Sequence, residues 1–290
     1  MYSAIAANKR KTVLIMAVFV VIILGMGWIF GALYNQPDYI YFALVVGIGY
    51  ALVQYFAAAK IALAVNGAKE IQKRDNPRYY RIVENLAITT GMPMPKVYVI
   101  DDPALNAFAT GRDPKHAVVA ATTGLLEIMN DSELEAVMAH EMGHVKNYDI
   151  RVMMIVFGLV SAIGFIADML MHMMFWRDED DNANPLVMVL GIVAAIIAPL
   201  VATFVQLAVS RQREYLADGT SVMTTRYPEG MISALKKIRD HGSAVKHQNT
   251  STAHLFFANP LRGNALTRLL STHPPIEDRI ARLEAMGSKL

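Results

Sequence analysis

One segment of the chain combines residue types that can hold a metal ion and activate water. Residues 140–144 spell H-E-x-x-H. If this segment is helical, His140 and His144 lie one turn apart on one face, so two imidazole nitrogens can reach the same Zn²⁺. Glu141 then lies on the open side of the metal and can accept the proton of a water molecule that the metal acidifies. The motif therefore predicts zinc-assisted hydrolysis.

A second acidic segment offers the carboxylate that completes such a site. Glu214 and Asp218 are spaced i and i+4, so they share one face of a predicted helix. Glu214 can ligate the metal while Asp218 accepts the free ring N–H of a ligand histidine. Two histidines and one carboxylate leave one position for water, as in catalytic zinc sites, and we expect one zinc ion per chain.

The surroundings of the pentapeptide favour this interpretation over a solvated helix face that carries the motif by chance. Asn130, Asp131 or Ser132 can cap a helix, Glu133 places an acid in its first turn, and apolar residues follow. Gly143 fits a helix poorly, and we expect another element to pack closely against its backbone.

The composition predicts a membrane protein. Hydrophobic residues make up 54% of the chain and charged residues 18%, which is unusual for a soluble enzyme. Four apolar segments are each long enough to cross about 30 Å of hydrocarbon. They are residues 12–33, 39–59, 152–175 and 185–209. Any one of them could be a buried core helix, but a chain of this size has too little other material to cover all four.

The distribution of charge predicts how these spans are oriented. Basic residues precede the first span at 9–11 and follow the second between 60 and 74, so both chain ends are expected in the cytoplasm. The loop at 177–182 is strongly acidic, as expected on the opposite side. An even number of crossings separates His144 from Glu214. All three ligands should therefore emerge on the cytoplasmic side, close to the membrane surface.

The predicted fold is a mainly α membrane protein with a small β-sheet, in which four transmembrane helices join a zincin-like catalytic domain. The transmembrane hairpins cover residues 1–65 and 152–209, and the catalytic domain is formed by 66–151 and 210–290. Patterns within the catalytic domain predict a helix at 76–90, strands at 96–100, 104–110 and 116–121, and helices after Pro228 and Pro275.

The order of these motifs resembles the HtpX family of membrane zinc proteases, relatives of the CaaX prenyl endopeptidases. The resemblance covers nearly the whole chain and includes S-R-x-R-E-x-x-A-D at residues 210–218 and S-T-H-P-P at residues 271–275. It implies a gluzincin fold in the bacterial inner membrane with a cytoplasmic active site. It also implies proteolytic quality control of misfolded or damaged membrane proteins under stress.

The resemblance implies a role for individual residues. The three zinc ligands are His140, His144 and Glu214. The catalytic base is Glu141, and Asp218 is the carboxylate that binds a ligand histidine from behind. Residues 106–111 resemble an edge strand along which substrate pairs by β-augmentation. The related prenyl proteases suggest Asn106 and His273 as donors to the oxyanion. The alternative is that Asn106 caps a turn and that His273 merely precedes a helix.

Other charged residues also allow more than one interpretation. Arg211 and Arg213 either pair with carboxylates near the site or bind lipid headgroups. Asp168 and His172, one turn apart in the third span, form a proton relay, snorkel to the membrane interface or pair with each other.

The composition excludes several other classes of protein. The chain has no cysteine, which excludes thiolate zinc sites and cysteine nucleophiles. A net charge of +2 without a glycine-rich phosphate loop argues against nucleic acid, so the expected partners are protein or peptide substrates and the lipid bilayer. The alternative to a peptidase is a non-enzymatic membrane scaffold or regulator with a structural or vestigial metal site. A closed structural site needs a fourth protein ligand, and the sequence offers no obvious one.

Overall fold

The computed structural model describes residues 2–33, 36–156, 159, 211–242, 245, 255–258 and 274–287. These residues are mainly helical and include one four-stranded sheet. The chain forms two compact units, one made of residues 1–8, 59–154 and 207–290 and the other of residues 9–58 and 155–206. Most of the second predicted hairpin, with Asp168 and His172, lies outside the described residues.

Two long helices open the chain where the first two spans are predicted. Helix α1 covers Tyr2–Leu33 and helix α2 covers Tyr39–Val65. Within the described residues, no single helix meets the combined requirement of length and apolar composition for crossing a membrane. The segments Tyr39–Val53 and Tyr55–Val65, which are bent by 54° relative to each other, meet it only when taken as a pair.

The sheet places one strand at an edge next to the H-E-x-x-H helix. Its strands are β1 (Ala68–Glu70), β2 (Lys96–Ile100), β3 (Ala107–Thr110) and β4 (Val118–Thr122), in the spatial order β1-β2-β4-β3. Strands β2 and β4 are parallel, whereas β1 pairs antiparallel with β2 and β3 with β4. The three predicted strands are confirmed, with β3 shorter than expected. Strand β1 is not predicted, because three residues are too few to show an alternating pattern.

Several other described helices lie around a central one. They include α3 (Pro77–Thr90), α4 (Thr123–Ile128), α5 (Asp131–Lys146), α6 (Arg211–Thr225), α7 (Pro228–His241) and α8 (Ile276–Gly287). Helix α5 carries H-E-x-x-H and contacts α3, α6, α7 and β3. Leu134, Val137 and Met138 are fully buried in the shared core. The motif therefore lies on the most enclosed helix of its unit, where its side chains have fixed positions.

A capping box starts helix α5. The side chain of Asn130 accepts a hydrogen bond from the Glu133 backbone N–H at 2.9 Å, and the Glu133 carboxylate accepts one from the Asn130 N–H at 2.8 Å. These two bonds satisfy backbone donors that the first turn of a helix leaves unpaired. Of the three candidate caps in the sequence, Asn130 is therefore the one used.

The same carboxylate ties α5 to α7. Glu133 is 2% exposed and accepts hydrogen bonds from Ser233 and from Lys237 Nζ, both at 2.6 Å. Burial opposes the charged form of Glu133, but the bonds from Lys237, Ser233 and the Asn130 backbone outweigh it, so its pKa is lowered. The ionised carboxylate thus fixes the start of the helix that carries the motif.

We predict that Glu133→Gln lowers the free energy of unfolding by about 1–3 kcal/mol at neutral pH, because it removes a buried charge-assisted contact. Since the pKa of Glu133 is lower in the folded state than in the unfolded one, this stabilisation is present above about pH 4.3 and is lost as the pH falls through the folded-state pKa. Denaturant unfolding of the detergent-solubilised protein at neutral and acidic pH measures both effects.

Glu84→Gln is the matched control, because the pair of Glu84 with Lys73 is exposed and contributes little. Equal destabilisation by the two substitutions, or a loss at Glu133 that is independent of pH, would contradict the proposed anchor.

Candidate metal centre

Three side chains from two helices meet at one point. Helix α5 supplies His140 and His144, and the first turn of α6 supplies Glu214. The two imidazole Nε2 atoms lie 3.1 Å apart. The Glu214 carboxylate oxygens lie 3.6 Å from Nε2 of His140 and 3.4 Å from Nε2 of His144. All three side chains are buried.

These separations match those of ligands around one small cation. Atoms held at about 2.0–2.1 Å from a common tetrahedral centre are about 3.4 Å apart, and the three observed distances lie on both sides of that value. Two imidazole nitrogens that face each other at 3.1 Å repel through their lone pairs unless a proton or a metal ion lies between them. The donor set therefore fits a metal ion such as Zn²⁺, with room for a non-protein ligand.

A chain of buried contacts fixes His140 from behind. Its Nδ1 bonds to Asp218 Oδ1 at 2.8 Å, and Arg279 of helix α8 holds both oxygens of Asp218, at 2.7 and 2.9 Å. Burial alone would raise the pKa of Asp218, but Arg279 and His140 lower it to about 2. Asp218 therefore stays ionised, keeps the proton of His140 on Nδ1 and directs Nε2 towards the other two ligands.

A second carboxylate does the same for His144. Nδ1 of His144 bonds to Asp149 Oδ2 at 3.0 Å, and Arg213 Nη1 lies 3.7 Å from Asp149 Oδ1. Burial opposes the imidazolium form of His144, but its bonds to Asp149 and Glu214 outweigh burial and raise its pKa to about 10. The contact forms because α5 ends at Lys146 and Tyr148 adopts a positive φ of 61°, which turns the chain back.

The roles of Asp149 and Arg279 are not predicted from the sequence. Asp149 follows His144 by five residues, a spacing that shares a helix face poorly, so only the turn at Tyr148 brings the two together. Arg279 lies 61 residues beyond Asp218. The weak signal for Asp149 is a polar group just after the helix end and before an apolar segment. No pattern in the sequence links Arg279 to Asp218.

Glu141 differs from the other carboxylates of the centre. It is 1% exposed, and no described side chain forms a hydrogen bond to its oxygens. Burial raises the pKa of Glu141, while the imidazoles of His140 and His144 and the backbone N–H of Ala109 in β3 oppose that shift. A buried carboxylate without a side-chain partner is costly and rare in a purely structural setting. Its position beside the ligands is what a proton acceptor requires.

The charges around the centre also fit a divalent cation. The buried carboxylates are Glu141, Asp149, Glu214 and Asp218, and the buried guanidinium groups are Arg213 and Arg279. A metal ion requires both Nε2 atoms to be deprotonated, and with the imidazoles neutral and all four carboxylates ionised, two negative charges remain uncompensated. Uncompensated charge is expensive in a buried site, so a doubly charged ion stabilises this arrangement.

The other predicted site residues have varied surroundings. Asn106 is buried just before β3, and its amide bonds to the backbone of Ala258. His273 lies outside the described residues.

A Cβ added at Gly143 would lie 3.4 Å from Thr220, so α6 does pack against this glycine, at an ordinary contact distance. Arg213 is 5% exposed, which favours the carboxylate interpretation over lipid headgroups.

Comparison with known proteins identifies the family of the chain. The model of peptidase family M48 matches residues 73–287. A protein named "Protease HtpX homolog" from Tropheryma whipplei (strain Twist) is 53% identical, with 100% of this chain and 99% of the relative covered. One of the same name from Streptococcus thermophilus (strain ATCC BAA-250 / LMG 18311) is 43% identical, with 99% and 100% covered.

A solved structure shares the fold. The crystal structure of S. mikatae Ste24p matches with a TM-score of 0.53 at 18% identity. The match covers 98% of this chain and 66% of that one. The fold is thus that of a known protein with a longer chain.

We predict that Asp149→Asn weakens zinc binding about tenfold to a hundredfold, because the amide presents a donor as well as an acceptor to Nδ1 of His144 and no longer supplies a negative charge. Zinc affinity is measured by competition with a chromophoric chelator. Asp278→Asn, at an exposed position of α8, is the control. Equal zinc affinity in both variants would show that Asp149 does not orient the ligand.

Proposed function

The chain belongs to peptidase family M48 as a membrane metalloprotease of the HtpX type, and we propose that it is a zinc-dependent endopeptidase whose substrates are misfolded or damaged membrane proteins. The observation that carries the proposal is the convergence of His140, His144 and Glu214 at ligand distances, with the buried carboxylate of Glu141, which no described side chain binds, beside them. This arrangement supports hydrolysis better than it supports a purely structural role.

We assign one metal ion per chain to His140, His144 and Glu214. A bound zinc ion would supply Lewis-acid polarisation of the scissile carbonyl and acidification of water. Once deprotonated, the Nε2 atoms would suit such an ion, because Asp218 and Asp149 accept the Nδ1 protons. Among the described residues, three side chains could hold the ion, so a tetrahedral site would keep its fourth position for water or substrate.

Glu141 is the proposed general base. It accepts the proton of the attacking water and then delivers it to the departing amine, so that the proton is conserved over the reaction. Because no described side chain forms a hydrogen bond to its carboxylate, it can take and release a proton without breaking a side-chain contact. Burial also keeps bulk water from competing for that proton.

Asn106 and His273 are the proposed donors to the oxyanion that forms when water adds to the carbonyl. Support for Asn106 is its place at the start of β3, the edge strand beside α5. Its amide would become available once its bonds to Ala258 are broken. The assignment of His273 rests on the S-T-H-P-P motif alone.

The proposed location is the bacterial inner membrane, with four spans and with both chain ends and the active site in the cytoplasm. The domain boundaries at residues 65, 151 and 209 belong to the same proposal. Large apolar side chains that are exposed on α1 and α2 support it, among them Val13, Val21 and Val45 at 67, 67 and 73% exposure. Quality control under stress is the proposed cellular role, supported by the HtpX name of the relatives.

We predict that Glu141→Gln abolishes turnover while zinc is retained, because the amide cannot accept a proton but occupies the same space. His140→Ala and Glu214→Ala should lose both activity and metal. Cleavage of unfolded casein by the detergent-solubilised protein, with metal content measured by mass spectrometry, tests all three. Glu135→Gln on the same helix is the control.

Full cleavage by the Glu141→Gln variant would rule out the base assignment. Zinc bound by a wild-type protein that cleaves nothing would favour the alternative of a scaffold or regulator.

The orientation has its own test, because the chain contains no cysteine. We predict that a membrane-impermeant maleimide labels Asn182→Cys in intact spheroplasts, since this residue lies in the acidic loop proposed to face outwards. Lys96→Cys, on the exposed surface of β2, should react only after lysis. The opposite labelling pattern would place the metal centre on the outer side of the membrane.

A further inference from the structure

The edge of β3 is already paired with another part of the chain. Residues 255–258, here called the covering segment, lie along it. The Phe257 backbone N–H donates a hydrogen bond to the Ala107 carbonyl at 2.7 Å, and Phe108 and Phe256 form an antiparallel β-bridge. The rings of these two phenylalanines meet edge to face at 5.1 Å between centroids. The covering segment thus makes the contacts of an added strand.

The side chain of Asn106 extends this pairing by one residue. Its Nδ2 donates to the Ala258 carbonyl at 2.9 Å, and its Oδ1 accepts from the Ala258 N–H at 3.1 Å. The carboxamide therefore binds both backbone groups of Ala258, as a peptide unit of a strand would. Oδ1 also accepts a hydrogen bond from the N–H of Ala107, so both of its acceptor positions are used.

The covering segment also contacts the residues behind the metal ligands. The Phe257 ring is 1% exposed and lies edge to face against His140, with 4.8 Å between ring centroids. Arg279 donates to the Phe257 carbonyl at 3.2 Å and places its guanidinium 4.5 Å from the centre of the Phe257 ring. The guanidinium that holds Asp218 therefore also holds the covering segment.

We infer that the covering segment occupies the place of a substrate strand, that Asn106 is the residue that positions it there, and that cleavage requires the segment to exchange with substrate. This inference rests on the proposed peptidase function. The outward carbonyl of Ala107 and the amide of Asn106 already bind the segment, and an extended substrate that adds to this edge needs the same groups. Exchange would also let Asn106 Nδ2 donate to a substrate carbonyl in place of the Ala258 carbonyl.

The geometry suggests a covalent lock. Because the hydrogen bond between Phe257 and Ala107 flanks the bridge, Phe108 and Phe256 form a non-hydrogen-bonded pair, in which the Cα atoms approach to about 4.5 Å. This separation is within the range for a disulfide. A Phe108→Cys/Phe256→Cys variant can therefore fix the covering segment, and the cysteine-free chain offers no competing thiol.

The test compares casein cleavage by the zinc-loaded, full-length double variant before and after reduction with a phosphine. The expected result is at least a tenfold lower rate in the oxidised form, recovery on reduction and unchanged zinc content. Oxidant should not alter the rate of either single-cysteine variant. A complete disulfide, verified by mass spectrometry, with no loss of rate would show that the covering segment is a fixed wall of the site. Inactivity of wild type as well would instead contradict the peptidase itself.

Hydrogen exchange provides a second test that does not need the disulfide. Zinc-loaded Glu141→Gln protein is incubated with unfolded casein, which it should bind without cleaving. Exchange of the Phe257 and Ala258 amides should become at least severalfold faster, because their acceptors are taken by substrate. Unchanged or slower exchange at these amides under saturating casein would overturn the inference.

Discussion

The bonds that fix the Nδ1 atoms of two buried imidazoles are the constraint on which the rest of the site depends. Asp218 and Asp149 each accept one such bond, which leaves the Nε2 atoms of His140 and His144 facing each other at 3.1 Å. Without these carboxylates the imidazoles could rotate or change tautomer. Glu214 would then no longer face two ligand nitrogen atoms. The spacing H-E-x-x-H brings the rings together, and the carboxylates determine which atoms they present.

Each of these carboxylates requires further support from distant parts of the chain. A buried carboxylate needs a partner of opposite charge, and Arg279 provides it for Asp218 from the last described helix. Arg279 also contacts Phe257, whose segment pairs with the edge of β3. The candidate metal centre, helix α8 and the edge of β3 are therefore linked by direct contacts. The guanidinium of Arg279, on α8, contacts both Asp218 and the segment that pairs with β3.

Local patterns were sufficient to predict much of this arrangement. The helical spacing of His140 and His144 and the i, i+4 spacing of Glu214 and Asp218 depend on helix geometry alone. Asn76 and Gly91 begin and end α3 as helix signals predict, with the Gly91 φ at 66°. Such features follow from residues close in sequence, so a single chain suffices to find them.

Contacts between distant residues could not be predicted in this way. The bond of Asn106 to Ala258 joins residues 152 positions apart, and its side chain was expected to face substrate or to cap a turn. Nothing in the local pattern at residues 255–258 indicates a strand, because the segment pairs only through the edge that β3 offers. Asp149 is near in sequence, but only the left-handed Tyr148 directs it to His144.

The central claim is that one metal ion is held by His140, His144 and Glu214 with a position left for water. X-ray absorption at the zinc K-edge of the stoichiometrically loaded protein tests it most directly. We predict a first shell of nitrogen and oxygen only, at about 2.0–2.1 Å, with outer-shell scattering from two imidazoles. Scattering from one imidazole, or from three or more, would contradict the claim.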